Sequence, residues 1–541
     1  MADGGVSAAL GQQTRLGYVV SVAGSRVTGV LANADAKSAE AAQAQVGVLV
    51  KILTGRSYAF GMVNALAIPT PSSPPSPDDV RVMQIDLFGE MMIGAGGEVG
   101  PFQRGCAIMP SLGQPIFATT AEDLVRVYAR PSNANVRVGT IHQDPDLPAY
   151  IRTDDMLGRH FAVLGTTGAG KSCAVALLLR AILTENPAGH VVLVDPHNEY
   201  AAAFGDQAEV VNIGNLQLPH WLLNFEEISS VLISPNSHTA ESEAAILADA
   251  ILQAKSRTVE EAVFNEHLTI DTPVPYRLSE LARIVDDAMG KLNKADGATP
   301  YLRLKAKIES LRSDRRFSFM FSGLTIHDVM ANVIGRFIRV PVEGKPVTII
   351  DLSGVPSEIV DVVVSVLVRM VFDFAVWADR ASSIPVLLVC EEAHRYVPRD
   401  QAAGFGPTRR ALARIAKEGR KYGVSLGLVT QRPAEISETI LSQCNTLFAM
   451  RMSNEQDQHF VQKALPEAAA GLINTLPALR PQEAIAVGEG VVLPMRIRFD
   501  DLAPEHRPHS QGTAFSEAWQ QDHTTLDQVA ETIHRWRRQS R

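Results

Sequence analysis

Short apolar and alternating runs, separated by clusters of Gly, Asn and Pro, make up the first part of the chain. Runs of strand length begin at Gly17, Arg26, Val46 and Val82. The proline-rich segment 68–77 cannot donate consecutive hydrogen bonds to a sheet, so it predicts a loop between strands. Several short strands at this spacing are typical of a small barrel or sandwich. We therefore predict an N-terminal β-barrel over residues 1–135.

The pattern changes near residue 160 to buried strands that alternate with helices. Residues 160–164 are an apolar run that begins with His160, and residues 191–194 are fully apolar. Residues 172–183 between them have helical periodicity. Strand patterns return at 347–350, 386–389, 426–429 and 446–450. Alternation of this kind predicts an α/β fold, with a mostly parallel sheet covered by helices on both faces.

A helical segment interrupts this α/β pattern. Helices are predicted at 244–254, 278–292 and 301–312. We therefore divide the core into a first part, 136–225, a helical insertion, 226–338, and a second part, 339–499. The second part ends in a predicted hairpin at 483–499 that turns at Glu489 and Gly490. A C-terminal extension, 500–541, ends in a helix with one apolar face formed by Leu526, Val529, Ile533 and Trp536.

The apolar stretch 359–377 is the only segment that suggests a membrane span. Four polar residues interrupt it at intervals of four: Asp361, Ser365, Arg369 and Asp373. Such a spacing forms one polar stripe on a helix, and ionised side chains are costly in hydrocarbon. We predict a core helix whose polar face meets solvent or a partner. Because the N-terminus also lacks the basic and apolar regions of a signal peptide, we expect a cytoplasmic protein.

The amino-acid composition excludes several further classes of protein. The 541 residues are 46% hydrophobic with a net charge of −9, which excludes disorder as the main description. Four cysteines stand far apart: Cys106, Cys173, Cys390 and Cys444. This spacing excludes a disulfide scaffold and a Cys-rich zinc site, and it fits a reducing compartment. The mild acidity gives no general reason to expect nucleic acid, so that inference needs local charge.

A complete phosphate-loop motif lies between an apolar strand and a helix. The sequence from Gly165 to Ser172 reads Gly-Thr-Thr-Gly-Ala-Gly-Lys-Ser. Glycines allow backbone N–H groups to surround phosphate oxygens, and the following helix points its N-terminal dipole at the same charge. A lysine and a hydroxyl at its end reach the β- and γ-phosphates and Mg²⁺. We predict that ATP binds to Gly165, Thr167, Gly168, Ala169, Gly170, Lys171, Ser172 and Cys173, with Mg²⁺ on Ser172.

Two further strands end in residues suited to hydrolysis. The apolar strand 385–390 leads into Glu391 and Glu392, which predicts a carboxylate for Mg²⁺ and a base that orients water. The alternative is a surface pair at a strand end. Strand 426–429 leads to Gln431, whose amide can contact both the γ-phosphate and the attacking water; the alternative is a capping residue.

A basic stretch separates these two strands. Eight of its residues are Lys or Arg: Arg395, Arg399, Arg409, Arg410, Arg414, Lys417, Arg420 and Lys421. A solvated helix face, contacts to nucleic-acid phosphates, and an arginine finger that reaches a neighbouring subunit's nucleotide all remain open. Arg420 is the preferred candidate for the finger, and Arg414 is the second.

Together these residues resemble the HerA branch of the HerA/FtsK superfamily of hexameric DNA-translocating ATPases. The resemblance rests on motifs at 159–172, 194–200, 391–394 and 430–433, in the family's order. It implies a RecA-like P-loop core preceded by a HAS-barrel-like domain. It also implies that Asp195 and His197 lie at the edge of the nucleotide site, although an Asp-Pro-His turn can simply end a strand. Asn198, where the family frequently has Gly, and Cys173 are departures.

The resemblance further implies a homohexameric ring around duplex DNA. A NurA-like nuclease, or a sirtuin-like or other effector, would dock on the barrel for DNA-end processing or anti-phage defence. The main hypothesis is an ATP-dependent DNA translocase or helicase. The alternative is an ATP-regulated ring scaffold that gates an effector without processive movement. A conjugation coupling ATPase is disfavoured because such proteins are normally tethered to a membrane.

Overall fold

The architecture comes from a computed structural model of the chain. It describes residues 14–32, 44–73, 76, 79–94, 96–234, 236–258, 267–292, 297–321, 327–379, 381, 383–400, 403–464, 470–509, 515–520 and 525–538. The N-terminal residues on which the expectation of no signal peptide rests, 1–13, lie outside the described residues, as does part of the proline-rich segment.

The first part of the chain forms a closed barrel, as predicted. Its elements are β1 Arg15–Ala23, β2 Arg26–Leu31, β3 Leu49–Leu53, β4 Ser57–Ala67, β5 Val82–Ile93, β6 Val99–Arg104, β7 Pro115–Ala118 and α1 Ala121–Val127. The strand order is β2-β1-β7-β3-β4-β5, and pairing of β2 with β5 closes the ring while β6 extends from β5. Val27, Ile52 and Ile85 are fully buried in its small separate core.

The next elements alternate strand and helix. They are β8 Asn135–Ile141, β9 Asp144–Arg152, α2 Thr153–Leu157, β10 Phe161–Leu164, α3 Lys171–Glu185, β11 Val191–Asp195, α4 Ala201–Phe204 and β12 Ala208–Asn212. A helical segment follows, with α5 Phe225–Leu232, α6 Ala240–Thr258, α7 Leu278–Gly290, α8 Thr299–Ser313, α9 Ser318–Phe321 and α10 Met330–Ile338. Helices α6, α7 and α8 pack on one another through buried residues such as Leu247, Leu281 and Leu304.

Strands then return and complete the large sheet. The elements are β13 Val347–Asp351, α11 Ser357–Trp377, β14 Val386–Cys390, α12 Gly406–Glu418, β15 Val424–Thr430, α13 Glu438–Leu441, β16 Thr446–Met450, α14 Glu455–Ala464, α15 Ala470–Ile473, β17 Glu483–Gly488 and β18 Met495–Phe499. Two helices follow, α16 Phe515–Ala518 and α17 Leu526–Arg538. The hairpin of β17 and β18 and the terminal helix were both predicted.

The large sheet has eleven strands in the order β12-β13-β11-β14-β15-β10-β16-β17-β18-β8-β9. The strands from β12 to β16 pair in parallel, and the remaining pairings are antiparallel. The expected α/β class with a mostly parallel sheet is therefore confirmed. Register matters for the site, because Leu164 pairs with Thr430 and Cys390 pairs with Leu428. The segments that follow these strands consequently meet at one edge of the sheet.

The polar stripe of α11 is covered by the chain itself, which corrects the expectation of a solvent-facing or partner-facing helix. Ser365 is fully buried and donates to Glu227 of α5, which Arg369 also contacts at 3.0 Å. Arg369 reaches Asp373 at 3.1 Å, and the Thr408 hydroxyl of α12 donates to the carbonyl of Asp361. The stripe therefore joins α5, α11 and α12. In the described part of the chain, no helix combines the length and apolar character that crossing a bilayer requires.

Candidate active site

The phosphate loop connects β10 to α3 in a conformation that its glycines permit. Gly168 and Gly170 have φ values of +76° and +98°, a region that other residues rarely adopt. At Gly165 a Cβ atom would lie 2.8 Å from the Cβ of Met450, so the close approach of β16 requires glycine there. The motif therefore has the backbone shape of a phosphate-binding nest.

Neighbouring strands hold the loop in place. The Thr166 backbone N–H and hydroxyl both donate to the carbonyl of Arg451, each at 3.0 Å. On the other side, the backbone N–H of Gln482 donates to the carbonyl of Ala169 at 3.1 Å. Since both anchors come from the ends of sheet strands, the loop is positioned by tertiary contacts as well as by its own sequence.

The side chain of Lys171 points back over the loop. It is only 8% exposed, and Nζ donates to the carbonyl of Thr166 at 3.3 Å. Burial lowers the pKa of Lys171, whereas the carboxylates of Glu391, Glu392 and Glu199 raise it. Three acidic side chains therefore favour the charged form at the place where phosphate oxygens would be neutralised.

Ser172 has an acidic partner that the sequence reasoning did not assign. Its hydroxyl donates to Oε2 of Glu199 at 2.5 Å. Glu199 belongs to the motif that follows β11, although only Asp195 and His197 of that motif received a role. The signal available in the sequence was a carboxylate two residues beyond the histidine, which does not reveal that it reaches the phosphate-loop serine.

The structure gives Asp195 and His197 different environments. Asp195 is fully buried, and its two oxygens accept the backbone N–H groups of His197 and Tyr200 at 3.2 and 3.0 Å. This geometry supports the turn interpretation for Asp195. His197 is exposed, and its Nε2 lies 3.9 Å from Oε1 of Glu392, at the edge of the site. Asn198 has a φ of +56°, a conformation that Asn tolerates and Gly adopts freely.

Glu391 lies deepest in the site. Burial raises its pKa to about 8, while the hydrogen bond from the Tyr200 hydroxyl and the charge of Lys171 act in the opposite direction. Tyr200 Oη donates to Oε2 of Glu391 at 2.5 Å, and both side chains are almost inaccessible. Tyr200 is a second residue that the sequence reasoning left without a role.

Glu392 is held in a sparsely populated backbone conformation with φ +53°. Its Oε1 accepts a hydrogen bond from Gln431 Nε2 at 2.9 Å, and its Oε2 lies 3.2 Å from Nδ1 of His394. Burial raises the pKa of Glu392, and the charges of Lys171 and His197 lower it. A non-glycine residue in this region indicates strain that the surrounding structure maintains.

A short hydrogen-bonded chain joins the phosphate loop to these carboxylates. The Thr167 hydroxyl donates to Oε1 of Gln431, whose amide nitrogen donates to Glu392. Thr430, the last residue of β15, contacts Nδ1 of His394 through its hydroxyl at 3.1 Å. The phosphate loop, the two carboxylates and Gln431 therefore meet in one place, as their strand registers require.

Comparison with known proteins agrees with this geometry. Residues 136–371 match the family model described as "Helicase HerA, central domain". A "DNA double-strand break repair helicase HerA" of Pyrococcus furiosus is 27% identical over 424 residues, covering 71% of this chain and 72% of that protein. A protein of the same name from Sulfurisphaera tokodaii is 24% identical over 532 residues, covering 96% and 99%. VirB4 of Thermoanaerobacter pseudethanolicus resembles this chain with a TM-score of 0.49 and 17% identity, covering 70% and 98%.

By this match, the segment 136–371 is similar to the central domain of HerA helicases. The protein is an ATP-hydrolysing enzyme of the P-loop class. The expected family is confirmed, and the order of motifs along the chain agrees with it.

Among the basic residues, the two candidates for the arginine finger differ in their contacts. Arg414 contacts Asp373 at 3.5 Å, and its guanidinium lies 4.8 Å from the centre of the Phe372 ring. Arg410 of the same helix pairs with Glu226. Arg420 is exposed just beyond α12 and has no ion pair with any described residue. The guanidinium of Arg420 therefore has no ion pair with described residues, whereas that of Arg414 contacts Asp373 and Phe372.

The residues around Ser172 fit a magnesium ion. Its hydroxyl and the carboxylates of Glu391 and Glu199 are hard oxygen donors of the kind that Mg²⁺ prefers. Within the described residues, no group of three or more His, Cys, Asp or Glu side chains could hold a metal. Such a donor set suits a cation that the protein binds through one or two oxygens and that phosphate and water complete. Cys173, the next residue, is half-buried, and burial raises the pKa of its thiol.

Proposed function

We propose that this protein is an ATP-driven DNA translocase or helicase that works as a hexameric ring around duplex DNA. The proposal is carried by one observation above all. Direct hydrogen bonds join Thr167 of the phosphate loop to Gln431 and Gln431 to Glu392, and Ser172 of the same loop donates to Glu199. The names of the HerA relatives, double-strand break repair helicases, supply the DNA substrate.

Each residue then has a defined role in hydrolysis. Backbone N–H groups from Gly165 to Cys173 and the charge of Lys171 would hold the triphosphate. Ser172 and Glu391 would hold Mg²⁺, which would supply positive charge beside the phosphate oxygens. Glu392 would orient the attacking water and accept its proton. The Gln431 amide, which donates to Glu392 at 2.9 Å, would help to position that carboxylate.

Gln431 would contact the γ-phosphate of bound ATP and respond to its presence. Its amide contacts Thr167 of the phosphate loop and Glu392 at the same time. A γ-phosphate oxygen competing for the amide nitrogen would release Glu392 toward water. In this way the same side chain links occupancy of the site to positioning of the base.

A neighbouring subunit would complete the site. Arg420 is exposed and has no ion pair with described residues, so its charge can stabilise the transition state in the adjacent protomer. Arg414 already interacts with Asp373 and Phe372 and is the weaker candidate. His197 at the edge of the cleft is placed to sense the same interface.

The remaining parts would serve assembly and partners. The division into barrel, split core, helical insertion and C-terminal extension at the boundaries given above is part of this proposal. The barrel, with its own small core, would dock a nuclease or another effector. We place the protein in the cytoplasm and in DNA-end processing or anti-phage defence on the strength of its motifs and relatives.

The first experiment measures ATP turnover with and without linear duplex DNA. We expect DNA to stimulate turnover in the wild type, and Lys171→Ala to abolish it because the triphosphate loses its main counter-charge. Arg312→Ala, an exposed arginine on α8, serves as a matched charge control. Continued hydrolysis by Lys171→Ala would contradict the site assignment.

Native mass spectrometry, with the purified protein and with a cell lysate, tests the ring and its partner. A translocation assay on long duplexes without a partner then separates the two hypotheses. A sixfold assembly that moves by itself supports the translocase. A sixfold assembly that binds an effector and does not move without it would support the ring scaffold. A monomer that is indifferent to DNA would refute both.

A further inference from the structure

A cavity of about 350 Å³ lies on the face of the large sheet that points away from the phosphate loop. Arg498 of β18 lines it, whereas the next residue, Phe499, lines the space beside Gly170 of the loop. Successive side chains of a strand point to opposite faces of the sheet, so the sheet itself separates the two spaces. Small-molecule sites measure roughly 300–1,000 Å³. The cavity is therefore large enough for a small ligand and is distinct from the nucleotide cleft.

The polar groups of the lining come from three adjacent strands and the chain beside them. Arg498 of β18 is opposite Thr140 of β8 and opposite Glu483 of β17, so these three side chains share one face of the sheet. His142 follows β8, and Arg480 precedes β17. The cavity thus combines two guanidinium groups, an imidazole, a hydroxyl and one carboxylate.

A third arginine already neutralises the carboxylate. Glu483 is 3% exposed, and its Oε2 accepts from Nη2 of Arg496 at 2.6 Å and from the backbone N–H of Arg480 at 2.9 Å. Burial acts to raise the pKa of Glu483, but these hydrogen bonds and the charge of Arg496 hold that pKa below its usual value. Glu483 therefore stays ionised and forms its ion pair with Arg496 rather than with Arg498.

Arg480 and Arg498 supply positive charge that no carboxylate balances. Both residues are exposed and line the cavity, and neither forms an ion pair with any residue that the structure describes. Asp144 and Asp146 flank the lining residue Pro145, but they do not line the cavity themselves. Two guanidinium groups in one concave space repel each other, and an anion bound between them would remove that cost.

His142 lies in the same positive potential. Burial lowers the pKa of His142, and the charges of Arg496 and Arg480 lower that pKa further. The charge of Glu483, whose Oε1 lies 3.4 Å from Nδ1 of His142, raises it. A neutral imidazole can donate one hydrogen bond and accept another. An anion in the cavity would therefore meet two positive charges together with a donor from His142.

The backbone positions Arg480 before any ligand binds. Residues 480–483 form a turn that is closed by a hydrogen bond from the Glu483 N–H to the Arg480 carbonyl at 3.1 Å. The third residue of the turn, Gln482, has a φ of +67°, which a residue other than glycine keeps only where its surroundings hold it. Its backbone N–H donates to the carbonyl of Ala169 at 3.1 Å. The turn that carries Arg480 is thus fixed against the phosphate loop.

We propose that this cavity binds the phosphate group of a small molecule through the side chains of Arg480 and Arg498, with His142 as a further hydrogen-bond partner. Arginine presents its donors in a fork that matches the oxygens of phosphate. Inorganic phosphate and a small phosphate ester share this group, and the cavity has room for either. DNA presents a row of phosphates along an extended surface, whereas these groups lie in a recess. The proposal goes beyond ATP hydrolysis and does not depend on it.

The test measures binding of inorganic phosphate to the full-length protein by phosphorus NMR line broadening at constant ionic strength. Every protein carries Lys171→Ala, which removes the main counter-charge of the phosphate loop and leaves the cavity intact. Adding Arg480→Ala or Arg498→Ala should weaken phosphate binding about tenfold, the size of one lost charge-assisted hydrogen bond. Adding Arg312→Ala instead is the matched control and should change nothing. Urea unfolding shows whether each variant is folded.

A second arm replaces phosphate with ribose phosphate and separates the two sources of the group. Tighter binding of the ester, weakened by both arginine substitutions, supports the site and identifies its ligand as a phosphate ester. Equal or weaker binding of the ester supports the site with inorganic phosphate as the ligand.

Two results would overturn the proposal. The first is a protein that binds neither probe, or binds them with an affinity that Arg480→Ala and Arg498→Ala leave unchanged. The second is loss of duplex DNA binding in these variants without any binding of the small probes, which would assign the arginines to a nucleic-acid surface. Neither result bears on the ATPase assignment, since the phosphate loop is disabled in every protein compared.

Discussion

The two ends of the cleft are built from different kinds of structure. At the catalytic end, Glu391 and Glu392 follow a central strand, are 2% and 7% exposed, and have hydrogen-bonding or ion-pairing neighbours. At the other end, beside Gly170, Asp501 and Arg507 are exposed and lie on irregular chain after β18. Both ends contact the same phosphate loop.

This difference predicts which substitutions should affect activity most. Buried charged groups beside the centre of a sheet depend on one another, so removal of one leaves partners unsatisfied. Exposed groups on a loop remain solvated after a neighbour is lost and affect affinity alone. We therefore expect changes at the catalytic end to lower kcat strongly and changes at Asp501 or Arg507 to have much smaller effects on turnover.

The largest effect should come from Arg420. Arg420→Ala should lower kcat by about 10³-fold, because an arginine finger stabilises transition-state charge. The measurement is DNA-stimulated ATP turnover, with ATP affinity expected to stay within about twofold of wild type.

Arg414→Ala is the matched control for that variant. It should leave kcat nearly unchanged and lower the free energy of unfolding by about 1 kcal/mol, since it loses a contact with Phe372 and a half-exposed ion pair. If Arg414→Ala stops turnover while Arg420→Ala does not, the assignment of the finger is reversed.

Glu392→Gln tests the role of Glu392 as the general base. The variant keeps the hydrogen-bonding shape and removes the proton acceptor, so kcat should fall by about 10²- to 10³-fold while KM changes little. Steady-state kinetics at saturating DNA give both constants. A rise in KM without loss of kcat would place Glu392 among the binding residues, contrary to our assignment.

The smallest expected effect is on the pH dependence of stability, through His160. His160 is buried just before β10; its Nδ1 accepts the Leu426 N–H at 2.9 Å, and Nε2 faces the Ala416 carbonyl at 3.2 Å. Burial lowers the pKa of His160, so the unfolded chain binds the proton more readily. This contribution to stability is present at pH 7 and is lost as pH falls below the unfolded value of about 6.5.

His160→Gln can reproduce both hydrogen bonds without titrating. The urea unfolding free energy of the wild type should therefore fall more between pH 7 and pH 5.5 than that of the variant. Equal slopes for the two proteins would show that His160 does not carry this dependence. Arg507→Ala, on the exposed segment after β18, should retain the wild-type slope.

Much of the catalytic end was predictable because its residues are adjacent in sequence to apolar strands. Lys171, Glu392 and Gln431 each follow a strand whose pattern marks it as buried. Parallel pairing then brings strand ends together whatever the connecting chain contains. Glu199 and Tyr200 escaped assignment because their contacts depend on the turn after β11, whose backbone Asp195 organises.

For the polar stripe of α11, the sequence predicted the helix but not the residues that cover its polar face. Its period predicted a helix with one polar face, and that helix is present. The pattern could not show that Glu227, more than a hundred residues earlier, would cover Ser365 and Arg369. A polar face satisfied by a distant charge looks the same in sequence as one satisfied by water.

The order of residues alone determined the phosphate loop, the buried strands and the chemical types at their ends, because backbone conformation and burial are local consequences of residue type. Only the tertiary structure decided which of the two finger candidates lacks an ion pair among the described residues, which carboxylate meets Ser172, and that segment 500–509 returns to the loop. Such contacts join positions hundreds of residues apart, and their geometry depends on the packing of every element between them.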